Sequence, residues 1–220
     1  MSPLPTKMCV ACDTVALRCQ SETDLEILLV ERGNEPFRGC WALPGGFLEE
    51  NEDLPDGASR ELAEETGLRP AVFDPVGAWG TPGRDPRGRV VSIVYLAVAA
   101  PGASRVKGMD DAAKAAWHAV KELPQLAFDH AEIVPAALRH LRQRCSTTHM
   151  ALAFLEKDFL PCNLAHLLSQ LGAHMAHTAT DRLLAVANVE PAEGGAFRLK
   201  TDDYGSSLRE PVFLFPPGIQ

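Results

Sequence analysis

The chain has 220 residues, 46% of them hydrophobic, and a formal net charge of −8 at pH 7. That length suits one large domain, or one medium and one small domain, and the apolar fraction is enough to fill a core. It contains no run of about 18 apolar residues and opens without a basic-then-apolar signal segment, so the expectation is a cytoplasmic protein without membrane association. Lys7 to Leu17 and Leu25 to Glu31 read as apolar, β-branched strands. Six cysteines (Cys9, Cys12, Cys19, Cys40, Cys145, Cys162) include one C-x2-C pair, Cys9 and Cys12, inside the first strand. Their odd separation points the two thiols to opposite faces, and no second pair follows, so buried reduced thiols are expected rather than zinc.

The next stretch, Trp41-Ala-Leu-Pro-Gly-Gly46, is apolar and then tightly turned. Glycines there let backbone carbonyls approach a cation, which makes Gly45 a candidate carbonyl ligand. From Gly46 to Leu68 the sequence reads GFLEENEDLPDGASRELAEETGL. Pro55 suits a first helical turn, Asp53 or Asp56 favours its positive end, and Gly67 is the expected left-handed stop. Ala58, Leu62 and Thr66 then face inward. Glu61, Glu64 and Glu65 stand at i, i+3 and i+4, so they project within roughly a 100° arc of one helical face. Like charges at that spacing repel by a few tenths of a kcal/mol per pair and raise each other's pKa, whereas a bound divalent cation reverses the sign. Mg²⁺, with Mn²⁺ as a substitute, takes hard oxygen ligands and shares its shell with substrate phosphates. Glu61, Glu64 and Glu65 are therefore candidate catalytic residues and metal ligands, together with the Gly45 carbonyl. Arg60 is placed to hold the glutamates, and Glu52 to orient a ligand.

Trp79-Gly-Thr-Pro-Gly-Arg-Asp-Pro-Arg-Gly-Arg89 precedes an apolar strand from Val90 to Ala99. Its prolines and glycines specify a loop, and Arg84, Arg87 and Arg89 offer planar forks suited to phosphate or carboxylate oxygens. The bland alternative pairs each arginine with Asp85 and nearby acids. Trp79 either stacks on a base or, as an aromatic at a strand end, joins the core. Asp110 and Asp111, two adjacent acids before Trp117, either position water or a further metal, or cap a turn. Asp129 to Arg144 has helical periodicity, with Ile133, Ala136, Leu138 and Leu141 on its apolar side and His130 near its start. Strands and helices alternate, so α/β layering is the natural class.

The segment from Gly46 to Leu68 fills every fixed position of the Nudix box, G-x5-E-x7-R-E-U-x-E-E-x-G-U with U aliphatic. A solvated acidic helix, the usual explanation of a charge run, does not account for that match. The chain resembles Nudix hydrolases over residues 7 to about 143, which implies an α/β/α sandwich around a mixed sheet. The Arg-Asp-Pro-Arg loop, the Asp-Asp-Ala segment and Pro82, about fifteen residues beyond Gly67, resemble the ADP-ribose pyrophosphatase branch. That resemblance implies a small-molecule nucleotide substrate and a homodimer.

Beyond about Arg144 the character changes. Ser146 to His149 reads as a linker, Met150 to Val186 carries apolar residues at helical spacings, and Arg209 to Phe215 reads as a strand. The layout is similar to the winged-helix tail of Nudix-related regulators of NAD metabolism. The expected organisation is a Nudix domain over residues 1–145 and a small α+β, degenerate winged-helix-like domain over residues 146–220. From residue 146 onward there are five bases and eight acids, a balance of −3, so DNA binding is not expected. The expected activity is Mg²⁺-dependent hydrolysis of a nucleoside diphosphate linked to another group, foremost ADP-ribose to AMP and ribose 5-phosphate. The alternatives are an ADP-ribose-sensing transcriptional regulator and a nucleoside triphosphate sanitiser.

Overall fold

The computed structural model describes residues 7–19, 25–70, 72–99, 112–172, 180–181, 183–184 and 189–199. The chain opens with two antiparallel strands, β1 (Cys9–Cys19) and β2 (Leu25–Arg32). Two short strands follow, β3 (Trp41–Ala42) and β4 (Gly45–Phe47), then helix α1 (Leu54–Thr66). Next come β5 (Val72–Trp79), β6 (Val90–Val98), β7 (Ala112–Ala119) and helix α2 (His130–Thr147).

β1 is the spine of the mixed sheet. On one side it runs parallel to β6 from Cys9↔Val90 to Leu17↔Val98. On the other side it changes partner midway: Leu17 to Cys19 pair with β2, whereas Ala11 to Asp13 pair with β4. β2 then continues against β3 and β7. The separation of β1 from β2 opens a cleft in the sheet between the end of β2 and the start of β1.

Alternation along the strands buries both faces, which is why they read as continuous apolar runs. Val15 and Leu17 of β1, Ile27 and Leu29 of β2, and Val94, Leu96 and Val98 of β6 pack with Ile133, Val134, Ala137 and Leu141 of α2. The intervening Ala16, Leu28 and Ala97 pack with Leu62 of α1, and Cys12 and Tyr95 with Ala58. The result is the expected α/β/α sandwich. Cys9 is exposed and Cys12 buried, on opposite faces of β1.

α1 begins and ends where local chemistry dictates. Asp53, extended at φ −77° and ψ 154°, caps it through its carboxylate, Pro55 occupies the first turn, and Gly67 stops it at φ 72°, donating its N–H to the Ala63 carbonyl. α2 runs three residues beyond its expected end, through the stretch read as a linker. Thr148 terminates it: both its N–H and its hydroxyl donate to the Arg144 carbonyl, at 2.8 and 2.6 Å.

The region after α2 departs from a simple helical reading. His149–Phe154 is a 3₁₀ turn whose six residues are all buried, so its apolar pattern reflects burial on every side rather than one amphipathic face. Phe159 lies in a two-residue strand, β8 (Asp158–Phe159), and only then does helix α3 (Pro161–Gln170) begin. β8, β10 (Phe197–Leu199) and β9 (Val189–Pro191) form a small antiparallel sheet in that order. Met150, Leu152, Phe154, Leu164 and Leu167 join the same buried cluster as Val15 and Leu141, so apolar packing continues across residue 145. The strand expected at 209–215 lies outside the described residues.

Candidate active site

The cleft left by β1 and β2 is a cavity of about 540 Å³. β1 contributes Asp13 to it, the end of β2 contributes Arg32, and α1 contributes Glu61, Glu64 and Glu65. The loop before β6 adds Arg84, Asp85 and Arg87, the turn before α2 adds Phe128, and the first residue of α2 adds His130.

α1 places the glutamates because the buried Ala58, Leu62 and Thr66 anchor the face beside them. Glu65 is the deepest of the three. Its Oε2 accepts the Gly45 N–H at 2.9 Å. Burial pushes its pKa up to about 8, with the charges of Glu61 and Asp13 acting in the same direction. Burial also raises Glu61, against the opposing bond from Arg60.

Arg60 is the organiser of this wall. Its Nε and Nη2 donate to Glu52 at 2.7 and 2.9 Å, Nη1 to Glu61 at 2.9 Å and Glu64 at 3.0 Å, and Nη2 also to the Phe47 carbonyl at 3.3 Å. The bonds to Arg60 hold Glu52 below the usual carboxylate range. Glu52 therefore braces the arginine that braces Glu61 and Glu64.

Two glycines permit this packing. A Cβ on Gly46 would fall into the carboxylate of Glu61, and one on Gly45 would meet the Cys12 carbonyl and lie 2.8 Å from Asp13 Cα. Hard carboxylate oxygens, mutually repelling and partly withdrawn from water, suit Mg²⁺ or Mn²⁺ in donor chemistry. Among the described residues no three His, Cys, Asp or Glu side chains stand close enough together to hold an ion, and Arg60 engages Glu61 and Glu64.

The loop arginines differ from one another. Arg84 is committed to the protein: its Nε and Nη2 donate to both oxygens of Asp129 at 2.8 and 2.6 Å, with Asp13 3.7 Å away, and its side chain is 4% exposed. Arg87 lines the cavity but is gripped by Asp85, whose own side chain is 2% exposed. Arg89 donates to the Gly80 carbonyl at 2.5 Å and does not line the cavity. Trp79 packs against the core on the α2 side. Asp110 and Asp111 lie outside the described residues.

Sequence reasoning missed a polar group on the cavity wall. Asp13 accepts a short hydrogen bond from the Ser92 hydroxyl, and its Oδ2 lies 3.7 Å from His130 Nε2. His130 Nδ1 accepts the Leu43 N–H at 3.0 Å, which assigns its proton to Nε2. Burial pushes the His130 pKa down. The available signal was Asp13 itself, a charge inside the apolar run CVACDTVAL, because a buried carboxylate requires partners. Arg32 was missed too; it donates to the Pro36 carbonyl at 2.8 Å and lies over the Phe128 ring.

Comparison with known proteins agrees with this geometry. The NUDIX domain matches residues 12–137. An ADP-ribose pyrophosphatase of Methanocaldococcus jannaschii is 46% identical over 118 residues, 54% of this chain and 69% of that protein. The ADPR responsive transcriptional repressor NtrR of Acinetobacter baylyi is 29% identical over 164 residues, 73% of this chain and 65% of its own. Shewanella oneidensis NrtR in complex with a 27mer DNA superposes with a TM-score of 0.72 at 27% identity, covering 89% of this chain and 95% of that one. Its NUDIX domain in complex with ADP ribose gives 0.58 at 30% identity, over 62% and 90%. These regulator relatives undercut the expectation, drawn from tail charge, that DNA binding is absent.

Proposed function

The chain belongs to the NUDIX family as a Nudix pyrophosphohydrolase, and from that premise we propose that it hydrolyses ADP-ribose to AMP and ribose 5-phosphate with Mg²⁺. The observation that carries the reading is the undiminished carboxylate wall: Glu61, Glu64 and Glu65 line one cavity, and Arg60 and the Gly45 N–H fix them. The similarity to the archaeal ADP-ribose pyrophosphatase, spanning 69% of that protein, supports the substrate.

Glu61, Glu64, Glu65 and the Gly45 carbonyl would hold the cation, which when bound supplies charge neutralisation at the diphosphate and lowers the pKa of water. The chain's own residues do the positioning. Arg60, braced by Glu52, orients Glu61 and Glu64, and the Gly45 N–H orients Glu65. Arg87 offers positive charge in the same cavity, with Asp85 fixing its fork. The net reaction adds one water across a P–O–P bridge, so each product leaves with a monoester phosphate.

The test is product analysis after incubation with Mg²⁺ and ADP-ribose, NADH, diadenosine polyphosphates and oxidised deoxynucleoside triphosphates. Survival of ADP-ribose while another compound is cleaved refutes the substrate. Glu65→Gln is expected to lower turnover at least about a hundredfold, since removing a metal ligand forfeits several kcal/mol of transition-state stabilisation.

A second reading is favoured by one observation, the likeness to NtrR and NrtR across the tail as well as the Nudix domain. In it the chain binds operator DNA in response to ADP-ribose. A mobility-shift assay on the protein's own upstream DNA at physiological salt distinguishes the two, because specific affinity must exceed non-specific binding there. We also propose a homodimer, checked by sedimentation equilibrium.

A further inference from the structure

We propose that Phe47 and Phe128, whose rings both lie against the Arg87 guanidinium, form the subsite for the planar nucleobase of the substrate. The inference deepens the diphosphate reading and rests on it for the rest of the ligand.

Three observations converge on this part of the cavity. First, Phe37 at φ 67° and Phe128 at φ 53° are the non-glycine residues with positive φ among the described residues. A bulky side chain in that conformation is rare and disfavoured, so surrounding structure must enforce it. The two rings touch each other, edge to face, with centroids 4.8 Å apart. Phe37 thus buttresses Phe128, and Phe128 lines the cavity.

Second, Phe47 lies on β4 beside the box glycines and is 41% exposed, although it too lines the cavity. Nothing in core packing requires an aromatic ring there, and exposed large apolar groups gathered at one concavity mark a recognition surface. Third, Arg87 lies with its guanidinium carbon 5.0 Å from the Phe47 centroid and 5.5 Å from that of Phe128. A planar, delocalised group therefore already lies against both rings. A nucleobase is the planar group of a nucleotide and gains from the ring faces as well as from a stacked guanidinium, whereas a sugar phosphate gains from the guanidinium's charge and not from the rings.

The edge of the base meets polar groups as well. Asn34 and Glu35 line the same cavity from the segment after β2, offering an amide and a carboxylate to ring nitrogens and exocyclic amines. Stacking scales with ring area, so the subsite favours purines over pyrimidines.

The experiment uses the full chain in EDTA and titrates AMP, UMP and ribose 5-phosphate by NMR, so that binding is read without turnover. Wild type is expected to bind AMP at least about tenfold more tightly than ribose 5-phosphate, with UMP between them. Phe47→Ala, at a half-exposed position whose carbonyl contact to Arg60 survives, should remove most of that advantage, and Phe47→Trp should restore it. Wild type binding AMP no tighter than ribose 5-phosphate, or Phe47→Ala leaving the AMP advantage intact, overturns the proposal. The two readings fail separately. If AMP binding depends on Phe47 but ADP-ribose is not hydrolysed, the base subsite stands and the hydrolase reading falls; if ADP-ribose is hydrolysed and AMP binding ignores Phe47, the reverse holds.

Discussion

Gly46→Ala separates the geometry of the carboxylate wall from the stability of the fold. The backbone at Gly46 is not in the left-handed region, so alanine is conformationally allowed there. What the new methyl meets is Glu61: its carboxylate carbon and Oε1 lie well inside contact distance and Oε2 at 2.6 Å, where ordinary contact is 3.4–4 Å. The carboxylate therefore has to swing away by about 1 Å, a misplacement that elsewhere costs about a hundredfold in rate. The fold loses little, because the obstructing atoms end a flexible side chain. Its main loss is the 2.9 Å bond from Arg60 to Glu61, worth about 1 kcal/mol and a few degrees in Tm. The assay is kcat/KM for ADP-ribose with Mg²⁺, paired with thermal unfolding. Gly67→Ala is the counterpart: it has open space around it but sits at φ 72°, so it should cost about 1 kcal/mol of stability and leave kcat/KM within threefold at a permissive temperature. Gly46→Ala retaining more than a third of wild-type kcat/KM refutes the claim that the Glu61 position matters.

Three more outcomes follow from the same geometry. Gly45→Ala drives its methyl into backbone of β1 rather than a side-chain tip, so it should parting-shift β4 and lower stability by about 3 kcal/mol in urea unfolding. Arg84→Ala leaves Asp129 and Asp13 without their cation and should cost about 3–5 kcal/mol, and Arg84→Lys should recover only part of that because the two-pronged grip on Asp129 is lost. His130 is held neutral by burial. The unfolded chain protonates it below about pH 6.5 and the folded chain does not, so its contribution is complete above that value and is lost as pH falls towards its depressed folded pKa. His130→Asn should accordingly be less stable than wild type at pH 7.5, with the gap narrowing between pH 6.5 and 5; a constant gap refutes the linkage.

The carboxylate wall was legible because everything that builds it is local. Asp53, Pro55 and Gly67 set the ends of α1, Ala58, Leu62 and Thr66 set its buried side, and the three glutamates inherit their direction from helical spacing alone. The rest of the cavity depends on pairings that no local rule supplies. Asp13 meets Ser92 through the parallel register of β1 and β6, and Arg84 meets Asp129 across a separation of 45 residues. An arginine-rich loop states how much positive charge is present, but whether a given fork is free depends on acids brought in from elsewhere, and Asp129 and Asp85 take up Arg84 and Arg87. Phe47 illustrates the converse: as a lone aromatic after two glycines it carries no periodic signal, and its meaning comes from the two partners, Arg87 and Phe128, that the fold sets beside it. The tail was obscure for a different reason. Met150 to Phe154 is buried on every side, and a segment without a polar face gives periodicity nothing to measure, so a 3₁₀ turn and the first turns of a helix look alike there.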